Sequence, residues 1–272
     1  MTPTTKTHNK LLCLLKQQED IIIMRKLQLL VFILVPLVNF GIQPFTDSPF
    51  EDDPEVLIQP AGYAFAIWGP IFLGMLIYSF FQAKEERVES PHLDLATKAG
   101  ISAGIASIVF VPISFTDLQW LGWLNIIWHL VSLIILFRAL SQQVALEKNK
   151  NIHWYYLPTQ LYLGWISAAT AVATGLMLRD TFGVAFDQSI EVYLTVAIIM
   201  ALIAVAIWIT RQGGQFIGVT IVWALGGLIV EHGNFAPILY ACIVGMGLIL
   251  SFVLYSAIKG ERVYQQHLYK NT

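Results

Sequence analysis

The chain has 272 residues, of which 56% are hydrophobic and only 12% charged, with a formal net charge of −2. A soluble domain carries roughly 25% charged residues, so an ordinary water-soluble globule is excluded, and a net charge so close to zero excludes a global field that would recruit nucleic acid or another polyanion. The two cysteines, Cys13 in a polar stretch and Cys242 deep in an apolar run, supply neither a disulfide framework nor a CxxC metal or redox site.

The apolar residues are gathered into long uninterrupted runs. A hydrocarbon core about 30 Å thick requires about 20 mostly apolar residues per spanning helix, whereas a closed barrel needs short alternating strands, so the runs read as helices. Residues 1–26 form a polar arm of mixed charge, a composition that suits disorder or a chain whose translation starts at Met24. The first run, 27–45, follows Met24-Arg25-Lys26 as a signal peptide would, but no small-residue cleavage site comes after it, and it reads as the first span. Seven further runs occupy 64–83, 99–115, 120–137, 157–178, 192–209, 216–230 and 235–258, before a tail at 259–272. The expected fold class is an all-α integral membrane protein, an eight-helix transmembrane bundle.

Orientation follows from the basic residues. Placing the N-terminus inside puts all but Arg179 of the sixteen Lys and Arg residues on the cytoplasmic side, the partition that the positive-inside rule requires. One helix more or fewer would scramble every assignment downstream, so the charge pattern supports the count of eight and both termini inside. The outer loops are acidic by contrast, the first carrying Asp47, Glu51, Asp52, Asp53 and Glu55. Trp120 and Trp123 near an outer end, and Trp154, Tyr155 and Tyr156 near an inner one, fit interfacial aromatic belts. Small residues recur at four-residue spacing as Gly100 and Gly104 on helix three and as Ser167, Ala171 and Gly175 on helix five. Such faces let helix backbones approach closely; packing within the bundle is their first use, and a homodimer interface is the other.

Polar residues inside a span are costly unless they face the bundle interior, and are therefore candidates for a site. No span drawn this way carries a central Asp, Glu, Lys or Arg, which weighs against a proton pump or voltage sensor. Glu231 and His232 fall at an outer helix end and read as a solvated loop pair. His129 lies near a midplane, with Asn125 and Ser132 on adjoining turns of the same helix face. It could donate a hydrogen bond or ligate a haem, or it could simply bond a neighbouring helix; the lack of a second buried histidine for a bis-histidine haem favours the plain reading. Trp68, Trp165 and Trp223 fall inside spans, where an indole either fills space between helices or walls a pocket for a flat apolar ligand.

The stretch Gln59-Pro-Ala-Gly-Tyr-Ala-Phe-Ala-Ile-Trp-Gly-Pro-Ile-Phe-Leu-Gly74 resembles the start of helix two in the tryptophan-rich sensory protein and translocator protein family (TspO/peripheral benzodiazepine receptor), with Pro60 before the helix, Trp68 about two turns on and Phe72 one turn further. Leu161-Tyr-Leu-Gly-Trp-Ile-Ser-Ala-Ala-Thr170 resembles the family's fifth helix through Tyr162, Trp165 and Ala169. The resemblance covers roughly residues 27–178 and is closest to longer bacterial members in which further helices follow. It implies a five-helix core at 27–178 plus three additional helices at 179–258. The sequence departs from the family in carrying Ala66 for a proline, Ala173 for an asparagine, and the Leu124-Asn125-x-x-Trp128 phrase on helix four instead of helix three.

What the resemblance implies is an integral membrane protein, in a bacterial cytoplasmic membrane, that binds a porphyrin or similar planar hydrophobic ligand. Its pocket would be lined by Trp68, Phe72, Tyr162 and Trp165, with Pro60, Tyr63, Asn125 and His129 as further ligand contacts, under a cap at 46–63. No cofactor is required, porphyrin or haem being a ligand; the partners expected are the bilayer and a small hydrophobic molecule. A secondary transporter is the alternative reading, without a visible internal repeat or coupling-ion site to favour it. An enzyme is not expected, since neither an HExxH cluster nor a nucleophile with an adjacent base occurs.

Overall fold

The computed structural model describes residues 3–41, 56–84, 90–116, 118–146, 153–182 and 188–259. A hydrocarbon solvent offers no hydrogen bonds, so each crossing segment must satisfy its own backbone, and the described chain does this with helices throughout: α1 (Pro3–Gly41), α2 (Trp68–Gln82), α3 (Pro91–Ser114), α4 (Gln119–Leu146), α5 (His153–Phe182), α6 (Gln188–Thr210), α7 (Gln215–His232) and α8 (Ala236–Lys259). A short 3-10 segment, Gly62–Ile67, leads directly into α2. All eight helices contain stretches long and apolar enough to span a membrane, and every expected span is found in its expected order. Eight crossings among the described residues put the start of the first span, Gln18, and the end of the last, Ile258, at the same rim of the bundle.

The boundaries differ from expectation chiefly at the first helix. Its spanning stretch is Gln18–Gly41, and α1 continues back to Pro3 as one helix, where composition suggested an irregular arm. The shift matters for Arg25, expected in water at the basic rim. It lies within the span and is 4% exposed, packed on α3 with its Nη2 3.9 Å from Oδ1 of Asp94. Hydropathy alone misses this because one arginine in a greasy window looks like a helix end.

Helix α5 is the hub, packing on α2, α4, α6 and α7, while α1 bridges α2 and α3 and the α6–α8 group packs on itself. Without a hydrophobic drive between helices in lipid, contacts depend on close van der Waals fit, which small residues permit. Gly100 and Gly104 do this on α3: a Cβ on either would meet Gln28 or Val31 of α1 at 2.6 or 2.4 Å. The small-residue face is thus used inside the bundle, as the plain reading had it. The turn from α6 to α7 requires glycine for a different reason, because Gly213 adopts φ 97°, a backbone region that disfavours side chains.

Two expectations about helix ends are corrected. Tyr156 is a core residue, 5% exposed, stacked on Phe137 at 5.1 Å and hydrogen-bonded to Ser141; the side chains of Trp154 and Tyr155 lie outside the described residues. His232 is not solvated: it is 4% exposed, with Nε2 3.0 Å from the carbonyl oxygen of Gln59, while Glu231 faces outward.

The last contact belongs to a set that holds residues 56–64 on the additional helices. Leu57 N–H donates to Oε1 of Glu191 on α6 at 3.0 Å. Ala61 N–H donates to the Gly227 carbonyl on α7 at 3.1 Å, and Trp223 Nε1 donates to the Ala64 carbonyl at 2.9 Å. Gly227 makes this docking possible, since a Cβ there would lie 2.8 Å from Pro60 Cβ and 3.0 Å from Ala64 Cβ. A Gly227→Val variant is therefore expected to keep its helix content by circular dichroism while losing hydrogen-exchange protection at residues 59–64; unchanged protection there would show that α7 does not hold the segment.

Candidate ligand-binding site

The 3-10 segment sets the site. Because it is pinned to α7, it delivers α2 with Trp68 in its first turn directed at α5. Trp68 stacks on Phe72, one turn along α2, with ring centres 4.8 Å apart and planes at 26°. It meets Tyr162 edge-on at 5.7 Å and Trp165 at 6.2 Å, both from α5. Phe65 closes on Trp165 at 5.4 Å, and Phe40 of α1 on Phe72 at 5.5 Å. Offset-stacked and edge-to-face pairs of this kind contribute about 0.5–1.5 kcal/mol each beyond their burial. Three helices and the 3-10 segment thus share one aromatic cluster.

The four residues expected to line a pocket, Trp68, Phe72, Tyr162 and Trp165, are all in it. Phe65 and Phe40 were missed. Phe65 stands three residues before Trp68, inside the motif itself, and was legible there; Phe40 carries no signal beyond being apolar. Pro60 and Tyr63 are placed elsewhere: Pro60 is buried against Gly227, and Tyr63 is exposed, edge-on to Trp223 at 5.4 Å. They belong to the docked segment above the cluster.

On the α4 side the cluster becomes polar. His129 lies edge-on to Tyr162 at 5.0 Å, at 89° between planes, and Asn125 sits one turn earlier on α4. Asn125 is 4% exposed, His129 2% and Tyr162 0%. Yet Asn125 Nδ2 and Oδ1, His129 Nε2 and Tyr162 Oη have no hydrogen-bond partner among the described residues. Ser107 of α3 approaches the phenol without closing a bond, and itself accepts from Asn39 Nδ2 at 3.4 Å. An unpaired buried polar group costs about 1–3 kcal/mol, so three such side chains on this side of the cluster are expensive.

Ser132, grouped with them by helix position, behaves differently. It donates to the Trp128 carbonyl at 2.9 Å and lies 2.8 Å from the Ser102 hydroxyl, which accepts from Trp128 Nε1 at 2.9 Å. That network is closed and structural. The contrast sets apart Asn125, His129 and Tyr162, whose buried polar atoms have no partner among the described residues. Among the described residues no group of three or more His, Cys, Asp or Glu could hold a metal ion.

Comparison with curated proteins and with solved structures gave no match. A family model described as TSPO-like protein matches residues 22–255, a stretch that takes in the aromatic cluster on α2 and α5 and runs on through the additional helices into α8. The motif that opens α2, the motif at the centre of α5 and the eight apolar spans thus fall within one matched stretch, and this multi-pass membrane chain belongs to the TSPO-like protein family.

Proposed function

We propose that this protein binds a planar hydrophobic molecule of the porphyrin class within the α1–α5 half of the bundle, in a sensory or regulatory role. The observation that carries the reading is the juxtaposition of an aromatic cluster with three buried, unpaired polar side chains. Aromatic faces offer stacking surface to a flat ring system, and a few convergent polar groups at the edge of an apolar site are the ordinary means of fixing a ligand's orientation. Asn125, His129 and Tyr162 would take the ligand's polar edge. The rings pack on one another, so a flat ligand that stacks among them would have to part Trp68 from Trp165 and Tyr162. The docked segment at 56–64 leads through the 3-10 turn straight into Trp68, which would give α6 and α7 a part in controlling that movement.

Family membership supports a non-enzymatic role, and the site offers no nucleophile paired with a base. We also read the basic rim as cytoplasmic, on the positive-inside rule, in a bacterial inner membrane. The ligand would then enter from the outer leaflet or from the space beyond it.

Protoporphyrin titrated into the reconstituted full chain should quench tryptophan fluorescence saturably. The Trp68→Ala/Trp165→Ala double variant should bind at least about tenfold more weakly, the equivalent of about 1.4 kcal/mol; unchanged affinity would rule out this cluster as the binding site. A second prediction concerns Asn125. Replacing a buried, unpaired amide by an apolar group of the same shape is neutral or stabilising, so Asn125→Leu should raise the thermal midpoint of the empty protein while weakening protoporphyrin binding. A lower midpoint would mean that Asn125 is a bonded structural residue.

A further inference from the structure

A second group of buried polar atoms without partners lies at the basic rim, on the seam between α1 and α3. Arg25 Nε and Nη2 make no hydrogen bond among the described residues, and neither does the side chain of Gln28, one turn on along α1. Both residues are buried, at 4% and 0% exposure. Asp94 offsets the charge of Arg25, but at 3.9 Å it is beyond hydrogen-bonding distance. Burying a guanidinium is tolerable only when its hydrogen bonds are made as well as its charge balanced, and here the balance exists without the bonds.

Asp94 also lines a cavity of ≈ 220 Å³ on this seam, together with Asp20, Ile21, Met24, Thr97 and Lys98. Asp20 and Lys98 are exposed, so the cavity opens outward. Its walls lie within the first two turns of the spans that begin at Gln18 and Pro91, which is about 3–10 Å along the helix axes at 1.5 Å per residue. For spans that begin at those residues, that depth corresponds to the region between headgroups and acyl chains. The lining is divided by chemistry. Asp20 and Asp94 present two carboxylates, Lys98 presents a cation, and Ile21 and Met24 supply an apolar wall; the Arg25 guanidinium is not in the lining but lies behind Asp94, 3.9 Å from its carboxylate. Thr97 is already committed, its hydroxyl donating to the Leu93 carbonyl at 2.9 Å.

We propose that this cavity binds the headgroup of a zwitterionic aminophospholipid, a primary ammonium beside a phosphate, from the leaflet at the basic rim. The ammonium supplies three donors to Asp20 and Asp94. The phosphate supplies acceptors to Lys98 at the mouth and, on a shift of Asp94 toward the ammonium, to the Arg25 guanidinium behind it, whose fork suits a phosphate. A lipid bearing only negative charge would set its phosphate against two carboxylates, and a quaternary amine could not donate hydrogen bonds to either. The apolar wall continues into the acyl region, which favours a lipid over the free headgroup. This site is separate from the aromatic cluster, at the opposite end of α1 from Phe40, and does not depend on the identity of that ligand.

The test uses the delipidated full chain in detergent. Short-chain phosphatidylethanolamine, phosphatidylcholine and phosphatidylglycerol are compared with free phosphoethanolamine, and retained adducts are counted by native mass spectrometry. Phosphatidylethanolamine should be retained about tenfold better than the other two lipids and than phosphoethanolamine. Arg25→Met and Asp94→Asn should each reduce that preference to the phosphatidylcholine level. Because either buried substitution could impair folding, Lys98→Gln on the exposed wall provides a second variant, expected to weaken phosphatidylethanolamine retention with unchanged helix content. Equal retention of all three lipids, a preference untouched by Lys98→Gln and by a folded Arg25→Met, or equally strong binding of free phosphoethanolamine would each overturn the assignment to a lipid headgroup.

Discussion

Hydrocarbon cannot hydrogen-bond, and most of this structure follows from that constraint. The backbone answers it by being helical wherever it crosses, and several hydroxyls within the spans answer it locally. Thr97, Ser141, Ser167, Thr170, Thr174 and Thr220 each donate to the carbonyl three or four residues earlier in their own helix. Against that background of groups that have found partners, those that have not stand out. All but Thr210 Oγ1 lie on α1, α2, α4 and α5. The cost of leaving them so is greatest in a medium with no water to compensate, which makes the α1–α5 half the place where bound molecules would stabilise the protein most.

The two halves of the bundle divide the work. Helix α5 carries Tyr162 and Trp165 on the side toward α2 and, through Gly164, lies so close to α7 that an added Cβ would meet Ile217 O at 2.9 Å and Thr220 Cβ at 2.8 Å. The additional helices are therefore joined to the site through its central element. They also grip the segment above it, through Glu191, Trp223, Gly227 and His232. A shorter bundle of α1–α5 alone would leave the backbone groups of Leu57, Gln59, Ala61 and Ala64 without these partners.

Much of the architecture was legible in the sequence because the bilayer reduces folding to a question of length and polarity. Eight runs, their order and the residues of the aromatic cluster on α2 and α5 could all be read from apolar continuity and two motifs. What escaped was tertiary in origin. Arg25 reads as a rim cation because sequence does not say that α3 brings Asp94 to it. His232 reads as a solvated residue because nothing local says that the Gln59 carbonyl lies over it. Tyr156 reads as an interfacial belt residue because its stacking on Phe137 joins two helices. The separation of Ser132 from His129, three residues apart on one helix, rests on Ser102, contributed by a different one.

The proposed function requires that a ligand supply partners to the polar edge of the aromatic cluster. Nitrogen NMR of the full chain in lipid nanodiscs, with label in the histidine imidazoles and the His129 signal assigned through a His129→Gln variant, tests it directly. Saturating protoporphyrin should shift the His129 Nε2 resonance as that nitrogen gains a hydrogen-bond partner, and leave the His232 signal in place. Tryptophan quenching that saturates while the His129 resonance does not move would contradict the claim.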